Sequence, residues 1–277
     1  MMSEEDLPPI LRNKHFQSES AFAPESLLRE ARRQKKMTDK ATPAICVLDP
    51  DGDLVRRLKL DGRGRTDPDW ACYHTELHRF EESGIEFGVV PCAVGASFAV
   101  LVAEELFASG CKLLISITSA GQLQVLQPPP YFVLIERALR DEGTSYHYLA
   151  PSEFSHAGAE TLARVVDAFN SLAVPVYSGA VWTTDAPFRE TEEAIAAARA
   201  QGLLAVEMEA AALYAFAQAR DKPVLCFAHV TNQMGSIEGD FEKGEADGAV
   251  DALALLVLTA RRFSDAGNTQ PALPAHA

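Results

Sequence analysis

Beyond residue 44 the apolar positions gather into short, nearly unbroken runs, and between these runs apolar residues recur every three or four positions. The runs are "AICVLD" (44–49), "FGVVPCAV" (87–94), "KLLISIT" (112–118), "PVYSGAVWTT" (175–184), "LLAVE" (203–207) and "PVLCFAHVT" (223–231). Their β-branched content and lack of alternation predict strands covered on both faces. The intervening segments predict helices. "ASFAVLVAEELFASG" (96–110) has Ser97 as an N-cap and Gly110 as a terminator, and "YFVLIERALRDEG" (131–143) ends on glycine in the same way. "SHAGAETLARVVDAFNSL" (155–172), "RETEEAIAAARAQG" (189–202), "MEAAALYAFAQAR" (208–220) and "GEADGAVDALALLVLTARRF" (244–263) complete the set. Strand alternating with helix predicts an α/β fold, a single domain with a central mixed, largely parallel sheet flanked by helices. That domain spans 44–263. A charged arm (1–43) precedes it, in which "LLREARRQKKMTDK" (27–40) reads as an exposed basic helix, and a small-residue tail (264–277) expected to be mobile follows.

One segment breaks the pattern. "AVEMEAAALYAFAQA" (205–219) is almost wholly small or apolar, yet carries Glu207 and Glu209. Residues two apart on a helix point to different sides, so the pair cannot share a solvated face. Counting by four and seven from Glu209 reaches Leu213 and Phe216, an inward stripe; from Glu207 it reaches Ala211 and Tyr214. A helix N-terminus accounts for one exposed acid there. A carboxylate turned inward costs several kcal/mol unless something polar meets it. In open α/β sheets ligands bind at the C-terminal ends of strands, where this pair falls, and a ligand rich in hydroxyl groups would satisfy such acids.

Composition narrows the partners. With 277 residues, 47% hydrophobic and 23% charged, the chain has the balance of a folded domain. A formal net charge of −14 argues against nucleic acid as a partner, since phosphate backbones attract basic surfaces. No apolar run reaches the about 20 residues that a membrane helix needs. The acidic start "MMSEEDLPPI" is unlike a signal peptide, so the expected location is cytoplasmic. Five cysteines, with no CxxC spacing, read as buried free thiols in a reducing compartment. His74 and His78 stand at helical spacing without a third ligand, and "DPDGD" (49–53) reads as a turn, so no metal is expected.

The segment "VEMEAAALYAFA" resembles the Met-Glu ribose-binding stretch of the nucleoside phosphorylase family, which contains uridine phosphorylases, hexameric purine nucleoside phosphorylases and related nucleosidases. Three further pieces fall in the same order. They are "VGASFAVLVAEELFASGCKLLISITSAGQLQ" (94–124), similar to the family's glycine-bearing loop, helix, strand and GxxG-like turn; "SGAVWTTDAPFRET" (178–191), leading to the base pocket; and "FAHVTNQMG" (227–235). The resemblance implies cleavage of a nucleoside's N-glycosidic bond through an oxocarbenium-like transition state. It implies that Met208 packs on the sugar, Glu209 accepts bonds from ribose hydroxyls and Glu207 braces the site or meets the sugar. Phe188 would stack on the base, and Asn232 would hydrogen-bond the base as charge builds on it. Gly95, Ser119, Gly121 and Arg189 complete the expected substrate contacts. The implied partner is a small-molecule nucleoside, with no cofactor, inorganic phosphate as a possible co-substrate, and assembly as a homodimer or higher homo-oligomer.

Two departures concern phosphate. The family's phosphate turn after the first strand and its arginine on a later strand are replaced here by "VLDPDGDLVRRL" (47–58), with Asp49, Asp51 and Asp53, and by Ser116. Arginine's fork is the natural clamp for phosphate, so these changes weaken anion binding. On the base side, Asn232 stands where family nucleosidases carry an aspartate, and an amide cannot act as that acid. The overall organisation favours phosphorolysis to free base and ribose 1-phosphate. Hydrolysis by water, and nucleoside binding without catalysis, are the alternatives.

Overall fold

The computed structural model describes residues 7–235 and 238–268. The unbroken apolar runs become strands with two covered faces. In β1 (Ile45–Asp49) every residue is buried, as is every residue of the three-residue β9 (Ala205–Glu207). Ten strands form one mixed sheet. Besides β1 and β9 these are β2 (Arg65–Thr66), β3 (His78–Glu82), β4 (Ile85–Pro91), β5 (Leu113–Gln122), β6 (Tyr131–Asp141), β7 (Phe154–His156), β8 (Val176–Thr184) and β10 (Val224–Asn232). Five of them close into a ring. β10 runs parallel to β5 and antiparallel to β6, β8 is parallel to both β6 and β9, and β9 returns antiparallel to β5. From β5 the sheet continues through β1 and β4 to the β3 and β2 edge.

Helices cover both faces. α3 (Ala96–Ala108) and α6 (Ala210–Arg220) share a core with Leu48, Val133 and Cys226. α2 (Asp53–Leu60) and α7 (Ala249–Asn268) share the opposite one with Val47, Phe87 and Phe227. α4 (Ala159–Ala163) and α5 (Glu192–Ala200) are peripheral. α1 (Pro24–Lys35), in the basic arm, docks Leu28 and Ala31 against Ala71. α7 runs on to Asn268, so the expected tail begins helical; residues 269–277 lie outside the described residues. Among the described residues no helix is long and apolar enough to cross a membrane.

Four sequence expectations are corrected. Residues 131–143, expected as a helix, form β6, because their aromatic and β-branched head, Tyr131–Ile135, is buried continuously between β10 and β8. The pairing with β8 shifts register between Ile135 and Arg137. Within 155–172 the chain forms the end of β7 and the five-residue α4 instead of one long helix. His78 opens β3 while His74 lies in the exposed segment before it, so the two histidines do not share a helix face. Four cysteines are buried free thiols, but Cys92 is exposed.

α6 positions the two glutamates. Its residues 210–217 are all buried, which requires a helix apolar on every side. Its alanines let strands approach, and Tyr214 supplies the polar tie. The Tyr214 hydroxyl donates to Ile135 O at 2.6 Å and accepts from Cys226 N at 3.0 Å, joining α6 to two strands. Replacing Tyr214 with Phe leaves a buried carbonyl and a buried amide without that partner. Urea unfolding is expected to show a loss of about 1–3 kcal/mol.

Candidate functional site

The end of β9 and the first turn of α6 meet two loops here. Glu207 Oε2 accepts from the backbone N–H groups of Glu209 (2.7 Å) and Ala210 (2.8 Å), and its other oxygen accepts from the Thr183 hydroxyl. Thr183 in turn accepts from Ala211 N at 2.9 Å. Glu207 is therefore a buried cap on α6, anchored to β8. Burial pushes its carboxyl up to about 8 and the neighbouring Glu209 adds to the rise, against the opposing Thr183 and amide bonds.

Glu209, only 1% exposed, points the other way. One oxygen accepts from Gly95 N at 2.7 Å, in the loop before α3. Its second oxygen is buried with no partner. Burial raises this carboxyl too, opposed by the Gly95 amide and the Thr118 hydroxyl. Gly95 has φ +88°, a conformation that side chains resist, and so can turn its N–H onto the acid. Met208, between the acids, is half-buried.

A second corner lies where β1 ends. Asp51 Oδ2 accepts from Ser119 N at 3.1 Å and from the Ser119 hydroxyl. Lys243 bonds Asp53 and stands 3.7 Å from Asp51. Asp49 accepts from Val55 N at 3.0 Å, and burial raises its carboxyl to about 6. A narrow cavity of about 30 Å³, with room for water, is lined by Asp49, Asp51, Asp53, Thr118, Ser119 and His229 among others. His229 stacks on Phe132 at 4.5 Å between centroids, and its Nε2 is buried without a partner. Burial lowers it to about 4, so it is neutral at pH 7. Gly248 (φ +81°) closes over this ring, and a Cβ there would lie 2.3 Å from His229 Cε1. Ser116 on β5 is buried with an unpartnered hydroxyl.

At the end of β10, Asn232 Oδ1 accepts from Met234 N at 3.0 Å, while its Nδ2 makes two long contacts, 3.4 Å to Ala120 O and 3.3 Å to Thr231 Oγ1. Gly121 lies beneath, and a Cβ on it would meet Met234 Sδ at 2.4 Å. Phe188, 98% exposed, and Arg189, also exposed, project from the turn Pro187–Arg189. His15 and His147 line a separate hollow beside Lys14, whose ammonium lies 3.0 Å from His147 Nδ1.

The structure thus brings Gly95 to Glu209, Ser119 to Asp51, and Gly121 to Asn232, and leaves Phe188 and Arg189 in solvent. Sequence reasoning passed over Thr118, Thr183, His229 and Lys243. Of these, Lys243 carried a signal, being a lone base in the acidic stretch "EGDFEKGEADG" (238–248). Among the described residues no group of three His, Cys, Asp or Glu could hold a metal ion.

The chain is similar to known proteins. The family model described as the phosphorylase superfamily matches residues 52–260. The chain is 26% identical over 135 residues to the guanosine phosphorylase of Halorubrum lacusprofundi, covering 49% of this chain and 56% of that protein. It is 26% identical over 145 residues to the uridine phosphorylase of Thermococcus kodakarensis, covering 48% and 52%. The chain therefore spans about half the length of the curated relatives it matches. Two solved structures share the fold. The uridine phosphorylase of Vibrio fischeri ES114, complexed with 6-hydroxy-1-naphthoic acid, aligns with TM-score 0.67 and 19% identity over 81% of this chain and 92% of that one. A Helicobacter pylori MTAN mutant with 5′-methylthioadenosine in the active site aligns with TM-score 0.60 and 16% identity over 80% and 99%. A family match running from residue 52 to residue 260, on a fold these structures share, makes this chain a member of the phosphorylase superfamily.

Proposed function

We propose that this chain cleaves the N-glycosidic bond of a nucleoside, with Glu209 holding the sugar. The observation that carries this reading is the buried, unpartnered oxygen of Glu209 beside the Gly95 loop. Ribose hydroxyls donate, and an acceptor held out of water by its own fold is worth most to them as the sugar gains positive charge. Met208 packs on the sugar. The Asn232 amide, loosely engaged through Nδ2, turns to donate to the base as the bond breaks and negative charge builds there.

The nucleophile that suits the charges is water. Asp49, Asp51, Asp53 and Asp247 outnumber the two cations beside them, Lys243 and Arg56, both of which pair with Asp53, and His229 is neutral. Phosphate brings close to two negative charges into that field, whereas water brings none. Water adds to the anomeric carbon, the glycosidic electron pair leaves with the base, and a proton passes to a carboxylate of the β1 loop. The second reading, phosphorolysis, is favoured by the amide at Asn232 and by the names of the guanosine and uridine phosphorylases to which the chain is similar. Assaying base release over a panel of purine and pyrimidine nucleosides, with and without phosphate, separates the two. Equal release in both arms is expected, and strict dependence on phosphate would establish phosphorolysis.

Replacing Glu209 with Gln keeps an oxygen for Gly95 N but removes the charge and places an amide donor in the site. The expected loss in kcat/KM is about 10–100-fold, the worth of one or two hydrogen bonds to a charged group, with the thermal midpoint little changed.

The raised carboxyl of Glu207 also predicts a pH dependence of stability. A folded value of about 8, against an ordinary 4.5, means that the folded state binds the extra proton. That stabilisation is complete below pH 4.5 and disappears as pH rises through 8. His229 acts in the opposite direction, but only below its ordinary 6.5. Between pH 6.5 and 8 the wild-type chain is expected to lose about 1–2 kcal/mol more than a Glu207→Gln variant, read from denaturant unfolding at each pH.

A further inference from the structure

We propose that Asp51 keeps inorganic phosphate out of this site by occupying, as an internal anion, a seat built to hold an oxyanion. Two donors and a neighbouring cation define the seat. The backbone N–H and the hydroxyl of Ser119 converge on one carboxylate oxygen of Asp51, and the Lys243 ammonium, bonded to Asp53, stands 3.7 Å from the same atom. An amide and a hydroxyl on a single oxygen, with a cation beside them, are the partners an oxyanion takes.

Asp51 does not do what an acid beside a helix start usually does. It lies two residues before the first residue of α2, yet the N–H of Val55 in that helix is taken by Asp49. Asp51 instead reaches β5, across 68 positions of sequence. The backbone fixes that reach. Asp49 O accepts from Gly52 N at 2.9 Å, and Gly52 holds φ +72°, where a Cβ would lie 3.0 Å from Cys92 Sγ. The seat opens onto the cavity where the buried Nε2 of His229 faces no partner. The Asp51 side chain is about one-third exposed, so shortening it opens the seat to solvent ions. The consequence for catalysis, that water is left as the nucleophile, rests on the N-glycosidic reading; the occupation of the seat does not.

The test uses inorganic phosphate alone, without nucleoside, titrated calorimetrically into the full chain. The wild-type chain is expected to show no saturable binding. Asp51→Ala and Asp51→Ser are expected to bind phosphate at least about tenfold more tightly than wild type. Adding Ser119→Ala to Asp51→Ala should abolish the gain, which an effect of net charge alone would not do. Wild-type affinity equal to that of the variants overturns the proposal, as do folded variants that bind no phosphate. Failure of both variants to fold overturns it as well, because Asp51 would then be a structural brace. Phosphate binding gained by the variants, with no nucleoside cleaved by any form, leaves the seat standing and removes the N-glycosidic reading.

Discussion

A carboxyl group withdrawn from water must be met by donors, and much of the centre of this molecule is arranged to supply them. Glu207 sits at the end of the three-residue strand β9 and takes the two leading N–H groups of α6 on one oxygen and Thr183 on the other. Strand, neighbouring strand and helix start are locked together by that single side chain. The lock sets the direction of Glu209, whose own carboxyl is driven toward the Gly95 loop and left with one oxygen unmet. The orphan oxygen is therefore a product of the same constraint that holds the helix. One acid is satisfied by the fold, and the next keeps one oxygen without a partner.

Around this pair the electrostatics divide the site. On the α6 side both acids are raised by burial. On the β1 side four aspartates and a neutral histidine line a water-sized cavity, and Lys243 pairs with two of those aspartates. Both sides belong to a phosphorylase-superfamily fold, and the β1 side is rich in carboxylates. Fold and chemistry are separable here, because the backbone can keep a family's shape while a few side chains change what it accepts.

Much of the fold could be read along the chain because covered strands must be largely apolar, as β1 and the buried stretches of β5, β8 and β10 are. β6 escaped because such a strand has no periodicity of its own, and a chance four-residue spacing then imitates a helix. Of the site, Glu209 was legible from its place on an apolar stripe, where an acid needs a reason. The bond between Asp51 and Ser119 was not, since no local pattern tells where a loop acid will reach across 68 residues. Lys243 stood out as a lone base among acids, but its partners, Asp51 and Asp53, are about 190 positions away and could not be read from it. Phe188 carried the right chemistry in the right order, but the exposure of a side chain on a turn is set by tertiary packing.

The closed ring of five strands has a bearing on how the chain is made. β5 pairs with β10 across roughly a hundred residues, and the clasp between β5 and β8 is the short β9 that carries Glu207. Such distant pairings form late in folding, after the loop-closure entropy has been met. A nascent polypeptide halted before β10 owns both glutamates, the Gly95 loop and Asp51, yet lacks the strand that bears His229 and Asn232. The ring and the Asn232 corner therefore close only once β10 has been made.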